Sequence, residues 1–188
     1  MNLAKLFETQ RLLDEHILDE HPELKGQNNL DWKILALQVE LGECANEWRG
    51  FKKWSNDQEP RTSGGYDNGR KCTCSECASK NPLLEEYVDC IHFILSIGLE
   101  FDNYPLNLNY EVLGFIEEAW NTKNTIEQFQ VVYKNITDFS STCDELEYIE
   151  LVSQFLGLGE MLGFTWEQIE QAYYDKNAIN HERQATGY

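Results

Sequence analysis

This chain is poor in positive charge: 15 Lys and Arg stand against 33 Asp and Glu, for a net charge of −18 at pH 7. A surface of that sign repels nucleic acid and anionic membranes, so neither is expected as a partner. A phosphate-bearing ligand would need metal ions and a few well-placed cations to be held at all. No run of about 18 uncharged apolar residues occurs, so no membrane span is expected. Met1 to Gln10 carries Lys5 and Glu8 and lacks an apolar stretch, so no signal peptide is expected and the cytoplasm is the expected compartment. There is no alternating strand pattern of any length and no internal repeat. There is no Walker-type glycine loop, which argues against a P-loop NTPase, and no Gly-x-Ser-x-Gly nucleophile elbow.

What remains is helical. With 188 residues, 41% of them hydrophobic, and five Trp, the chain fits a single domain, 1–188, with a real core. Apolar spacing predicts helices over about 3–20, 31–50, 82–101, 110–121, 124–139, 144–162 and 166–183. The fold class is therefore all-α, a bundle of about six to seven helices. Asp31 is the expected N-cap of the second helix, Pro82 the start of the third, and Thr165 with Gln168 a capping box for the last. Residues 55–81 interrupt the pattern with Pro60, Gly64, Gly65 and Gly69, and read as a long flexible insertion.

Two acidic steps organise the chain. Glu40-Leu41-Gly42-Glu43 and Glu86-Tyr87-Val88-Asp89 each place two carboxylates at i and i+3, side by side on a helix. Leu35, Leu37, Val39 and Leu41 flank the first pair, and Val88, Ile91, Phe93, Ile94 and Leu95 surround the second. Acids at the edge of an apolar core repel one another and resist desolvation, and hard divalent cations such as Mg²⁺ are the usual remedy. Glu47 extends the first ladder, either as a further ligand or as a solvated acid. His92, three residues past Asp89, reads as a satisfied helix histidine.

Other groups stay open at this level. Gln10 and Asp14 are i,i+4 neighbours on a more polar stripe, and spacing alone makes them ordinary surface residues. Trp48, Phe51 and Trp54 either close the core or offer a stacking surface. Lys176, Asn180 and Arg183 fall at i, i+4 and i+7, a candidate phosphate grip in a chain with so few cations. Arg183 also suits the negative end of a helix dipole. Cys44, Cys90 and Cys143 fall in helices and read as small buried apolar residues. Cys72, Cys74 and Cys77 resemble part of a zinc knuckle, but a closed zinc site needs a fourth ligand that is not evident nearby. An exposed insertion without metal is the other reading. The aromatics Phe115, Trp120, Phe129, Tyr133 and Phe139 supply either an interface or the core.

The order of these features resembles the all-α nucleoside triphosphate pyrophosphatases. Within them it is similar to the dimeric dUTPases of phages, some bacteria and trypanosomatids. The likeness rests on Gln10-x-x-x-Asp14, on Glu40-x-x-Glu43 followed by Trp48, Phe51 and Trp54, on Glu86-x-x-Asp89, and on Lys176-Asn177, Asn180, Arg183-Gln184 and Gly187-Tyr188. The paired acidic steps are shared with MazG-like enzymes, and the tail points to dUTPase. The two acidic steps lie further apart than the family usually has them, and the loop 55–81 accounts for the extra length.

The resemblance implies Mg²⁺-dependent hydrolysis of dUTP, and of dUDP as well, to dUMP. Glu40, Glu43, Glu86 and Asp89 would bind two or three Mg²⁺ ions, or Mn²⁺ in their place. It implies that attack on the β-phosphorus releases pyrophosphate, with Glu43, aided by Glu40, taking the proton of the attacking water. It implies that Lys176, Asn180 and Arg183 hold the phosphates and sugar, that Gln10 with Asp14 faces the uracil edge, and that Trp54 lies against the base. It implies a homodimer in the cytoplasm, or in the host cytoplasm for a phage-encoded chain. Three rivals compete. A MazG-like pyrophosphatase of other specificity would keep the metal helices. A ferritin-like di-iron protein would need Glu-x-x-His motifs that are missing here. A non-enzymatic interaction protein would use the loop 55–81 for docking.

Overall fold

The computed structural model describes residues 2–64, 66–67, 70–71, 80–100 and 119–187, and among them it has six α-helices. These are α1 (Leu3–Glu20), α2 (Leu30–Trp48), α3 (Pro82–Glu100), α4 (Thr125–Thr142), α5 (Glu145–Met161) and α6 (Trp166–Thr186). A 3₁₀ turn at Pro22–Leu24 joins α1 to α2, and Tyr66–Asp67 pairs antiparallel with Arg70–Lys71 over two residues. The all-α class is borne out. The expected helix over 110–121 lies outside the described residues except for 119–121, which are irregular.

The caps follow the local chemistry with one exception. Asn2 accepts from the Lys5 N–H, Asn124 from that of Glu127 and Asp144 from that of Leu146. Thr165 and Gln168 form the full capping box, and Gly187 ends α6 at φ 76. Asp31 is not the cap of α2. Asn29 occupies that position without a capping side chain, because its amide is turned away to Glu100 and Trp32. Asp31 sits inside the first turn and accepts the Trp32 N–H at 2.7 Å.

The pairing of α2 with α3 is the most extensive in the fold, followed by that of α4 with α5. Helices α1 and α6 close over α3 and touch each other. Leu37, Leu41 and Cys44 of α2 and Leu83, Tyr87, Val88, Cys90 and Ile91 of α3 are buried. Each large side chain among them contributes about 1.5–3 kcal/mol by leaving water. Leu35 and Val39, expected beside the acids, face outward instead. Phe129 and Phe139 are core, Trp120 is exposed, and Phe115 lies outside the described residues.

Two buried tyrosines fasten α5 to α3. The Tyr87 hydroxyl donates to the Phe155 carbonyl at 3.1 Å, and the Tyr148 hydroxyl to that of Ile94 at 2.9 Å. Gly159 makes the first contact possible, since a Cβ there would lie 2.4 Å from the Tyr87 hydroxyl.

After α2 the chain turns at Arg49 (φ 63), whose guanidinium holds the Asp57 carbonyl and carboxylate. The Arg61 N–H donates to the Glu47 carbonyl, the Leu83 N–H to the Arg61 carbonyl, and the Gly64 N–H to the Lys80 carbonyl. The segment expected to be a loose insertion is thus tied at its base to both acidic helices. Cys44 and Cys90 are buried as expected. Cys143 is not: it is exposed, in the left-handed C-cap of α4.

Candidate active site

Because α2 and α3 pack along the faces that carry the acids, their carboxylates meet. One oxygen from each of Glu40, Glu43 and Glu86 lies within 4.8 Å of the others. Burial, with Asp89 and Glu43 next, pushes Glu40 up to about 7, against a smaller pull from Lys176. Burial together with Asp89, Glu43 and Glu40 pushes Glu86 up to about 7 as well. Three all-oxygen donors crowded in this way fit a hard divalent cation, whose charge would relieve the repulsion.

Asp89 belongs to the same field but is held by another partner. Its Oδ2 lies 2.6 Å from the Lys176 ammonium, which also reaches Glu85 at 3.2 Å. Burial raises the Asp89 carboxyl, and the Lys176 contact opposes that rise. Lys176 itself is driven down by burial, but Asp89 and Glu85 outweigh this and leave it above the usual lysine range. Lys176, expected to grip phosphate, is thus engaged with carboxylates across the α3–α6 contact. Glu47 is neither a member of the cluster nor a solvated acid. It pairs with Arg61 at 3.1 Å, and both side chains are largely buried.

A cavity of about 560 Å³ opens beside the cluster. Glu40, Asp89, Lys176, Asn180 and Arg183 line it. Its lining also carries Gln10, Asp14, His92, Phe93 and Ser96, and Lys33, Glu100 and Trp32. Helices α1, α2, α3 and α6 thus all contribute, from residues as far apart in sequence as Gln10 and Arg183.

Gln10 and Asp14 are not surface residues. Gln10 is 2% exposed and lies on the apolar stripe Leu3, Leu6, Phe7, Gln10, Leu13. The signal was its spacing of three from both Phe7 and Leu13. The Gln10 amide donates to Asp14 Oδ1 at 2.7 Å, and its carbonyl accepts from the Tyr173 hydroxyl at 2.9 Å. Asp14 Oδ2 accepts from Ser96 at 2.6 Å and faces Lys33 at 3.6 Å. Lys33 bonds Glu100 at 2.8 Å. Burial raises the Asp14 carboxyl, with Lys33 the first influence against it. His92 is buried, stacks on Tyr173 with ring centres 4.3 Å apart, and meets Gln10 Oε1 through Nδ1 at 2.8 Å. Burial, with Lys176 second, lowers it to about 3, so it is neutral near pH 7. It is a helix histidine, as expected, although its Nε2 lacks a hydrogen-bond partner among the described residues.

Trp54 is not brought to this cavity. It is 78% exposed and lies edge-on to Phe51. Trp48 tilts against Phe129 in the partly buried layer behind α2. Phe93 is the aromatic that lines the cavity near Asp89, and its position four residues past that acid was the available signal. Lys33, Ser96 and Glu100 were also missed, because single polar residues in apolar helices carry no spacing signature. Cys72, Cys74 and Cys77 lie outside the described residues. No described helix is long and apolar enough to cross a membrane.

Compared with known families, the chain matches a family model described as dUTPase over residues 2–65 and 74–188. No curated protein matches it in a sequence search.

Proposed function

The chain belongs to the dUTPase family and is a hydrolase acting on the phosphoanhydride bonds of dUTP, and from that premise we propose that it converts dUTP, and dUDP as well, to dUMP at the Glu40–Glu43–Glu86–Asp89 cluster in a Mg²⁺-dependent reaction. The observation that carries this reading is the meeting of three carboxylates within 4.8 Å, one of which, Glu40, also lines a cavity with Asp89, Lys176, Asn180 and Arg183. Glu40, Glu43, Glu86 and Asp89 would hold two or three divalent ions, Mg²⁺ or Mn²⁺. When bound, the ions supply neutralisation of the polyphosphate and acidification of a water molecule.

The chain's own residues do the rest. Glu43 is the most exposed member of the cluster and takes the proton of the attacking water, with Glu40 beside it. Lys176 and Arg183 meet the phosphates, and Asn180, one turn from each along α6, orients the phosphate or sugar. Gln10, positioned by Asp14, faces the base edge, and Phe93 offers the ring that lines the cavity. Trp54 stands outside the cavity wall, so a part in stacking would require its segment to move. We further propose that the enzyme is a cytoplasmic homodimer built on one domain spanning residues 1–188.

The deciding experiment is pyrophosphate release from dUTP beside dTTP, dCTP, UTP and dATP, with Mg²⁺ and with EDTA. Metal-dependent release confined to dUTP is the expected result. Comparable release from several nucleotides would overturn the base assignment, and release undiminished in EDTA would overturn the metal assignment.

A further inference from the structure

The cavity lining holds a buried lysine that the hydrolytic reading does not use. Lys33 is 6% exposed, and its ammonium serves two acids, Glu100 at 2.8 Å and Asp14 at 3.6 Å. Asp14 in turn touches Gln10, and Gln10 touches Tyr173 and His92.

The hydrogen-bond inventory of this chain leaves few choices. An ionised carboxylate only accepts, so Gln10 must turn its NH₂ toward Asp14 Oδ1 at 2.7 Å. Its carbonyl oxygen then points at the Tyr173 hydroxyl and at His92 Nδ1. A carbonyl donates nothing, so His92 Nδ1 must carry the ring's hydrogen. A neutral imidazole has one N–H, which leaves Nε2 bare, in keeping with its lack of a partner among the described residues. If Asp14 were protonated, its O–H would donate to the amide oxygen, Gln10 would turn over, and His92 would shift its hydrogen to Nε2. The charge on Asp14 therefore decides the orientation of two further side chains.

We propose that Lys33 is a positioning residue for base selection: by holding Asp14 ionised it fixes the amide orientation of Gln10 and, through it, the tautomer of His92. Burial works to protonate Asp14, and Lys33 is the first influence opposing it. In the fixed orientation the Gln10 amide nitrogen has Asp14 as its one hydrogen-bond partner among the described residues, and its second hydrogen is left for the cavity that Gln10 lines. That hydrogen suits a base that presents a carbonyl oxygen. The inverted amide would present its own oxygen and suit a base with an amino group. Lys33, which never touches the base, thereby favours a carbonyl-bearing pyrimidine over an amino-bearing one. This rests on the reading that the base enters this cavity.

The test combines nitrogen NMR with kinetics. In ¹⁵N-histidine-labelled protein, with the His92 signals identified by their loss in H92N, the wild type should show a neutral ring protonated at Nδ1. K33M should move the hydrogen to Nε2. It should raise KM for dUTP roughly tenfold with little change in kcat, and narrow the dUTP over dCTP preference by a similar factor. K33R should restore both. Should K33M fail to fold, K33M/E100Q, which also removes the surplus acid, carries the same comparison. An Nε2-protonated His92 in the wild type, or a folded variant without Lys33 that keeps both tautomer and preference, overturns the proposal. Absence of dUTP turnover in the wild type would overturn the hydrolysis of dUTP at this site instead, while the tautomer still decides the role of Lys33.

Discussion

The Lys176 ammonium of α6 lies 2.6 Å from Oδ2 of Asp89 on α3. One contact thus joins a phosphate-binding candidate to a metal-ligand candidate. It also sets the cation beside the acid that helps raise Glu40 and Glu86.

Replacing Lys176 with Met removes the cation that Asp89 and Glu85 share. The expected outcome is a KM for dUTP raised at least tenfold, the loss of one charge-assisted contact of about 1.5–3 kcal/mol. Steady-state kinetics at saturating Mg²⁺ checks this, and an unchanged KM would show that the ammonium stays on Asp89 throughout turnover.

Glu43→Gln keeps the shape of the side chain but can no longer accept a proton. Turnover should fall by about 10²–10⁴-fold, with thermal unfolding close to that of the wild type. A variant retaining most of its kcat would move the base to another member of the cluster.

The two raised carboxyls set a pH dependence in chelator. Glu40 and Glu86 titrate near 7 in the fold against 4.5 when unfolded. A group raised on folding lends stability that is full below its unfolded pKa and is lost as pH climbs through its folded one. Glu40→Gln and Glu86→Gln should therefore gain stability over the wild type as pH rises from about 4.5 to 7, with a level difference above that window. Unfolding temperatures across the range in EDTA give the answer, and a gain that shrinks with rising pH has the wrong sign for this account.

Phe93→Ala removes the ring from the cavity wall. It should raise KM for dUTP about tenfold through lost stacking and apolar contact, within the roughly 1–3 kcal/mol of a base on an aromatic face. Comparison with dUTP binding to a catalytically silent Glu43→Gln background separates this from an effect on chemistry.

Gly159→Ala adds a methyl group 2.4 Å from the Tyr87 hydroxyl. Better helix propensity returns roughly 1 kcal/mol, and overpacking costs about 1–3 kcal/mol or more, so net destabilisation is expected. Tyr87→Phe in the same background should recover part of the loss by removing the clashing oxygen, which denaturant unfolding would read directly.

The sequence by itself determined the helices and the acidic pairs. Apolar spacing of three and four marks α1 at 3–20 to the residue, and a Thr-x-x-Gln step marks the start of α6, because both signals are local. The i,i+3 carboxylates are equally local, since one helical turn suffices to place them together. Tertiary structure alone decided what each of these faces. Gln10 looked like a surface residue and is core, because α6 lays Tyr173 over it. Leu35 and Val39 looked like core and are exposed, because α3 packs on the other side of α2. Lys176 fits a phosphate grip by spacing, and it rests on Asp89 because α6 packs on α3. Trp54, open between core and stacking by sequence, stands in solvent beyond the left-handed turn at Arg49. Local spacing specifies which residues share a face, but a partner helix from elsewhere in the chain, as α3 for Glu40 and α6 for Gln10, supplies the burial and charge that turn a face into a site.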